Sequence, residues 1–260
     1  MNKHERLTEI LEYLKSHNEL SVDEACTIFN SSSATIRRDF SYLTAKKKVE
    51  KTWGGIASLS DVSSNKLGIT SPEKNIKNFE AKISIAAYTA SLIKDGDVVI
   101  LDGGTTVLQL IPFLKHKKIR IITNSLLIAQ RIDQISEGFD FELFVTGGFV
   151  YPRSGMLVGA QVSNSIKDFY SNWFIMSAGS VSNKGLFNSN SLVVDTEKEI
   201  IKRCEKFVVL ADHTKIGKQG SVKLCDLERP DMIITDSGFL DLDPKTKDII
   251  ADIESLHVVE

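Results

Sequence analysis

The chain has 260 residues, with 32 Lys and Arg against 34 Asp and Glu, 42% hydrophobic residues and 25% charged ones. That composition suits a globular protein long enough for two domains, and it excludes a wholly disordered, collagen-like or Pro-rich chain. No run of about 18 apolar residues exists to span a membrane, and the start, Met1-Asn2-Lys3-His4-Glu5-Arg6, lacks the apolar core of a secretory signal. Cys26, Cys204 and Cys225 are too widely spaced for a metal pair or a disulfide framework, which points to packing cysteines in a reducing cytoplasm. The histidines show no metal spacing, and no cofactor is implied.

Leu7, Ile10, Leu11 and Leu14 fall at i, i+3, i+4 and i+7, the stripe of an amphipathic helix from about Lys3 to Ser16. Ser21-Val22-Asp23-Glu24 has the pattern of a capping box and opens a short second helix whose apolar side is Ala25, Cys26, Ile28 and Phe29. Asn30-Ser31-Ser32-Ser33 supplies a turn and a fresh N-cap. A third helix follows from about Ala34 to Lys46, with Ile36, Phe40 and Leu43 inward. Three short helices with a tight turn between the last two predict a helix-turn-helix.

Setting Ile36, Phe40 and Leu43 inward turns Ala34, Arg38, Ser41 and Ala45 outward, with Thr35, Arg37 and Tyr42 flanking them. Such a slim polar face with a guanidinium fork suits the major groove of duplex DNA. Arg38 is assigned to base edges, and Ser33, Thr35 and Arg37 to phosphates or bases near the helix start. Val49, Lys51 and Trp53 then alternate with Glu50 and Thr52 as in a strand, and Gly54-Gly55 ends it. This predicts a small β wing offering Lys46, Lys47, Lys48 and Lys51 to phosphates, with Trp53 a packing residue. Residues 36–51 carry a net charge of +4, while the remainder after residue 56 carries −3. A polyanion would dock at 36–51, although the charge alone equally describes a solvated helix end.

Leu20-Ser21-Val22-Asp23-Glu24-Ala25, Thr35-Ile36-Arg37-Arg38-Asp39 and Trp53-Gly54-Gly55 resemble, in order, the DNA-binding signature of the DeoR family of bacterial transcriptional repressors. The resemblance implies a winged helix-turn-helix over residues 1–57. It also implies a homo-oligomer, dimer or tetramer, because paired half-sites require paired heads.

Ser58 to Asn75 is polar, with Gly and Pro, and has the composition of a linker. From residue 76 to 260 helices alternate with short apolar runs. The helix Phe79–Leu92 and the turn Lys94-Asp95-Gly96-Asp97 precede strands at 98–101, 119–122, 141–145, 173–176, 207–210 and 232–234. Helices are expected near 106–114, 125–135 and 195–204. This alternation predicts an α/β domain with a mostly parallel sheet and helices on both faces.

Ligands of such sheets bind beyond the carboxyl ends of the strands. The loops there are Asp102-Gly103-Gly104-Thr105-Thr106, Thr123-Asn124-Ser125, Thr146-Gly147-Gly148 and Ala211-Asp212-His213-Thr214-Lys215. Gly103 and Gly104 permit close approach, hydroxyls and helix-start N–H groups suit a phosphate, and Lys215 can close on an anion. Each loop alone equally turns the chain; together they point to a small anionic or hydroxyl-rich ligand. The same loops, with Arg153-Ser154 and Val158-Gly159, resemble the effector-binding domain of the DeoR family, similar in fold to ribose-5-phosphate isomerase. The resemblance implies a phosphorylated sugar as inducer. Thr105 and Thr106 would lie near its phosphate, and Asp102, Asn124 and Lys215 would reach hydroxyls or the anion.

Two positions depart from the family pattern. Ser177-Ala178-Gly179-Ser180 has Gly179 where the family usually shows Asp, and Leu192-Val193-Val194-Asp195-Thr196-Glu197-Lys198 lacks the family's Glu ahead of a Lys-Arg pair, while Gly185-Leu186 is retained. The function expected is that of a ligand-responsive transcriptional repressor of sugar-metabolism genes. The alternative is a sugar-phosphate isomerase-like enzyme with a helical appendage. It is disfavoured because proton transfer needs a positioned base and the loop best placed to supply one carries Gly179. A protein-docking adaptor gives no reason for Arg38 beside a lysine-rich wing.

Overall fold

A computed structural model describes residues 2–17, 19–52, 55–58, 76–135, 142–151, 154–188, 190–248, 250 and 253–260, with backbone only for residues 15, 16, 19, 23 and 50. The chain divides into two compact units, Met1–Thr70 and Ser71–Glu260.

The first unit opens with α1 (Lys3–Ser16), where Asn2 and Glu5 form a capping box. A short strand, β1 (Glu19–Ser21), leads into α2 (Val22–Ile28), where the expected Ser21–Glu24 capping box is in place. Helix α2 ends on Asn30 at φ +44°, with the Ser31 N–H donating to Cys26 O at 3.2 Å, and Ser32 caps α3 (Ser33–Ala45). The helix-turn-helix is thus a left-handed cap joined directly to an N-cap. The wing is β2 (Val49–Thr52) and β3 (Gly55–Ser58), both antiparallel, and β1 extends it to a three-stranded sheet in the order β1-β3-β2. Gly55, which sequence expected with Gly54 to end the first strand of the wing, opens the return strand. A Cβ at Gly55 would lie 2.2 Å from Leu20 O, so the β1–β3 approach requires glycine. Ser58 closes β3 and is not linker; Trp53, Gly54 and the rest of the expected linker lie outside the described residues. Leu7, Ile10, Leu14, Leu20, Ile36, Phe40, Leu43, Val49 and Ile56 make one core. Each such buried aliphatic or aromatic chain contributes roughly 1.5–3 kcal/mol.

The second unit runs α4 (Phe79–Leu92), β4 (Val98–Leu101), α5 (Thr105–Leu108), β5 (Arg120–Thr123), α6 (Leu126–Gln134), β6 (Glu142–Val145), β7 (Phe149–Val150), β8 (Leu157–Val158), α7 (Ala160–Ile166), β9 (Ser171–Ser177), β10 (Ser180–Ser182), β11 (Gly185–Asn188), α8 (Ser191–Ile201), β12 (Cys204–Leu210), β13 (Val222–Cys225), β14 (Met232–Asp236), α9 (Pro244–Lys247) and β15 (Leu256–Val259). Seven strands form one sheet in the order β15-β14-β12-β9-β4-β5-β6, and every pair in it is parallel.

Alternate residues of each central strand enter opposite cores. Val99, Leu101, Ile121, Ile175, Val208, Leu210 and Ile234 pack with Ile85, Ala86, Val107, Leu108, Ile128 and Ile132 of α4, α5 and α6. Ile100, Ile122, Phe174, Met176, Phe207, Val209 and Ile233 pack with Ile166, Val194, Ile200 and Ile201 of α7 and α8. Burial on both faces explains why these strands are continuous apolar runs in the sequence.

Two helices differ from expectation. The stretch 106–114 breaks after Leu108 and resumes as a 3₁₀ turn, Ile111–Leu114, carrying Pro112, which has no N–H to continue a helix. Helix α8 begins a turn earlier than expected because Asn190 caps it by accepting the Leu192 N–H, and Cys204 already belongs to β12. Among the described residues no helix is long and apolar enough to cross a membrane.

Candidate functional site

The surface of α3 follows from its inward stripe. Ile36, Asp39, Phe40 and Leu43 are buried, while Ser33, Ala34, Arg37, Arg38, Ser41, Tyr42 and Ala45 are exposed. Thr35 is half-buried: its N–H donates to Ser32 Oγ and its hydroxyl lies 2.9 Å from the same atom. Ser41 donates its hydroxyl to Arg37 O at 2.8 Å. The Tyr42 ring lies beneath two ammonium groups, Lys3 Nζ at 4.6 Å from its centroid and Lys46 Nζ at 5.9 Å. Cation–π attraction thus gathers positive charge beside the exposed helix face.

The basic exit is a Schellman motif. Lys47 N–H donates to Thr44 O and Lys48 N–H to Leu43 O, with Lys47 in the left-handed region at φ +52°. This projects the exposed Lys46, Lys47 and Lys48 from one turn. Asp39 is the residue that sequence reading missed here. It is 2% exposed and accepts from Arg6 Nε at 2.6 Å, tying α1 to the back of α3. An acid between Ile36 and Phe40, on the apolar stripe, was the available signal.

In the large unit the strand order gives the site its place. From β4 the chain proceeds to β5 and β6 on one side; from β9 it proceeds to β12, β14 and β15 on the other. The β4–β9 boundary is therefore the topological switch point, the place beyond the carboxyl ends where parallel sheets of this kind take their ligands. Asp102 follows β4 and Ser177 ends β9. Gly104 lies so close to Ser177 that an added Cβ would sit 2.6 Å from Ser177 Oγ.

Asp102 is 1% exposed and accepts from Asn124 Nδ2 at 2.8 Å. Glu197, on α8, is 0% exposed and accepts from Asn188 Nδ2 at 2.5 Å. Asn188 in turn accepts the Gly179 N–H at 2.8 Å through Oδ1. Burial pushes Asp102 up to about 6, against hydrogen bonds from Asn124, the Gly103 N–H and Glu197. Burial, and then the Asp102 charge, hold Glu197 well above its ordinary value, so the two neighbouring carboxyls favour holding a proton between them. A relay of amides and carboxyls thus joins the Gly179 loop to the Asp102 loop. A Cβ at Gly179 would stand 2.7 Å from Asn188 Oδ1 and 3.0 Å from Phe187 O, so an Asp at 179 does not fit while Asn188 holds the loop. Glu197 and Asn188 escaped the sequence reading. The signal for Glu197 was an acid on an apolar face made by Val193, Val194, Ile200 and Ile201.

The other expected site residues sit as follows. Thr123 donates its hydroxyl to Leu101 O at 2.7 Å, and Ser125 caps α6 by accepting the Ile128 N–H. Thr106 is buried and Thr105 half-buried, at the start of the four-residue α5. Gly147 is exposed, and Gly148 packs closely on Val158 and Val162. Arg153 lies outside the described residues.

Beyond β12, Asp212 accepts from Asn78 Nδ2 at 3.0 Å and from the Thr214 hydroxyl, with Lys82 Nζ 3.8 Å away. Burial lowers the Lys82 ammonium; Asp212 opposes that and Lys215 adds to it. His213 lies 2.6 Å from Asp236 Oδ2 through Nδ1, an anchoring contact for the loop. The three cysteines are free, and burial pushes the Cys204 and Cys225 thiols up to about 11.

Family models match both units: a DeoR-like helix-turn-helix domain over residues 6–62 and a DeoR C-terminal sensor domain over residues 77–237. The chain belongs to the DeoR family of transcriptional regulators. Its DeoR-family relatives include the HTH-type transcriptional regulator IolR of Bacillus subtilis, 32% identical over 88% of this chain and 90% of that one. The transcriptional repressor GlcR of the same organism is 30% identical over 91% of this chain and 89% of that one. The lactose phosphotransferase system repressor of Lactococcus lactis is 34% identical over 91% and 92%. Among solved structures, the chain is similar to ribose 5-phosphate isomerase A from Methanocaldococcus jannaschii, at a TM-score of 0.39 and 19% identity over 54% of this chain and 55% of that one.

Proposed function

We propose that the chain represses genes of sugar metabolism by binding an operator through residues 1–58, and that a phosphorylated sugar bound by residues 76–260 releases it, with 59–75 as the linker. The observation that carries this reading is the α3 face: exposed Arg37 and Arg38 on a slim helix, continuous with a lysine-bearing cap. Arg38 reads base edges. Ser33, Thr35, Arg37, Ser41 and Tyr42 surround it, and Lys47, Lys48 and Lys51 contact phosphates. The relative named as the lactose phosphotransferase system repressor supports the class of gene, and the one named as the transcriptional repressor GlcR supports repression. The protein works in the cytoplasm as a homo-oligomer; the exposed Leu143, Phe144 and Val145 of edge strand β6 supply apolar surface for assembly.

The sensor releases DNA only if the sugar phosphate binds one state of the protein more tightly than the other. Footprinting on the DNA upstream of the chain's own gene tests the reading. Two protected half-sites about 34–36 Å apart, or a multiple of that, are expected; a single uniform, sequence-independent protection contradicts it. One observation favours the isomerase alternative: buried carboxyls with raised protonation, as at Asp102 and Glu197, are found in acid–base sites. We read the pair as a sensor element because both carboxyls are sealed from solvent. Sugar-phosphate turnover by the purified chain would reverse that reading.

A further inference from the structure

Helix α1 supports α3 from behind. Leu7, Ile10 and Leu14 enter the core, and Arg6 pairs with Asp39. The first residue of α1, Lys3, is exposed, and its ammonium stands 4.6 Å from the centroid of the Tyr42 ring on α3. The Lys46 ammonium stands 5.9 Å from the same centroid. One ring thus draws together charges from opposite ends of the helix-turn-helix sequence.

The core does not require this grouping. Tyr42 is 42% exposed, and Ile36, Phe40 and Leu43 fill the inward stripe without it. Among the described residues neither ammonium is paired with a carboxylate. Two like charges at one ring repel. The ring attracts both but cancels neither, so an anion from outside is what completes the group.

The group also has a defined place on the helix. Arg38, Tyr42 and Lys46 recur every four residues and so form one ridge of α3. The eight residues from Arg38 to Lys46 rise about 12 Å. That is enough to reach from base edges to the phosphates bordering a major groove about 12 Å wide. Lys3 widens the far end of the ridge onto α1.

We propose, resting on the operator-binding reading above, that Lys3 contacts a DNA phosphate and that Tyr42 is its positioning residue. The ring holds Lys3 and Lys46 as a pair against the backbone of the duplex. The DNA-contacting surface therefore runs from α3 across to the first residue of α1. Tyr42 acts through these two ammonium groups and reads no base.

Anisotropy titrations of the full chain test this, with a mixed-sequence duplex and the fragment upstream of the gene as probes, from about 50 to about 200 mM salt. Each phosphate contact contributes about 0.9 to the slope of log affinity against log salt. Over that range the parent affinity should fall about 3.5-fold more than that of Lys3→Ala, on both probes. Tyr42→Leu should weaken both about threefold, and Tyr42→Phe, which keeps the ring, should restore the parent value. In the Lys3→Ala background the Tyr42→Leu loss should shrink, because one of the two charges is already gone. Both side chains are exposed, so the variants should melt with the parent.

The proposal is overturned if Lys3→Ala keeps the parent salt dependence or if Tyr42→Leu binds as the parent does. It is also overturned if Tyr42→Phe fails to rescue, which assigns the effect to the hydroxyl, or if the Tyr42→Leu loss is confined to the upstream fragment, which places the ring on bases. These outcomes leave the repressor reading standing. A parent chain that binds neither duplex overturns both.

Discussion

Arg38 projects from a helix whose opposite face is fully buried, so its removal leaves the core untouched. Arg38→Ala should therefore keep its melting temperature, within the roughly 0.5 kcal/mol usual for surface changes, and lose sequence-specific operator binding in an anisotropy titration. Retained specificity would remove α3 from base recognition. Lys47 separates two roles in one side chain: it pays a left-handed backbone penalty of about 1 kcal/mol and offers a charge to phosphate. Lys47→Gly should stabilise the protein by about that amount while lowering the salt slope of DNA binding by about one unit. A destabilised variant, or an unchanged slope, contradicts the assignment. These residues were legible because exposure and charge are local properties. Asp39 and Glu197 were not, because their meaning lies in partners far along the chain: Arg6 for one, Asp102 and Asn188 for the other.

Elements bounded by strong local signals are where sequence and structure agree closely: α1, α2 with its Ser21–Glu24 box, α4, and the apolar strands β4 and β14. Short strands such as β1, β8, β10 and β11 owe their existence to pairing, as the Gly55 contact with Leu20 illustrates, and carry no period of their own. The Arg6–Asp39 pair is the tie between α1 and α3, and removing one partner strands a buried charge. Asp39→Ala should cost about 3–5 kcal/mol in denaturant unfolding; Arg6→Met with Asp39→Leu should recover much of it. Additive losses would mean that the pair carries no coupling.

Helix α8 and β4 are coupled through a proton. Folding raises the Asp102 and Glu197 carboxyls above their unfolded values, Asp102 to about 6, so the folded state binds more protons than the unfolded one. The stability this contributes is complete below about pH 4 and is lost as pH rises through about 6. Glu197→Gln keeps an acceptor for Asn188 and a donor for Asp102 with no proton to lose. Near pH 7.5 it should melt higher than the parent chain, by an amount on the order of 1–3 kcal/mol, with the gap closing toward pH 4. A variant that melts lower at every pH, with the same pH slope, would show that the pair holds no excess proton.

The whole molecule combines a helix-turn-helix unit with a parallel-sheet sensor, and the repeating apolar runs of 98–101, 207–210 and 232–234 made that class readable before any pairing was known. Strand order was not readable. The switch point between β4 and β9, and with it the convergence of Asp102, Asn124, Ser177 and Glu197, emerges only from the folded topology. The central claim is that a sugar phosphate bound at that convergence controls the grip of α3 on DNA. A gel shift on the fragment upstream of the gene, titrated with sugar and polyol phosphates, tests it most directly. The account predicts a sequence-specific complex dissolved by one phosphorylated compound in the parent chain but not in Asp102→Asn. A chain that ignores the fragment at modest ionic strength, or that releases it identically with and without Asp102, would contradict it.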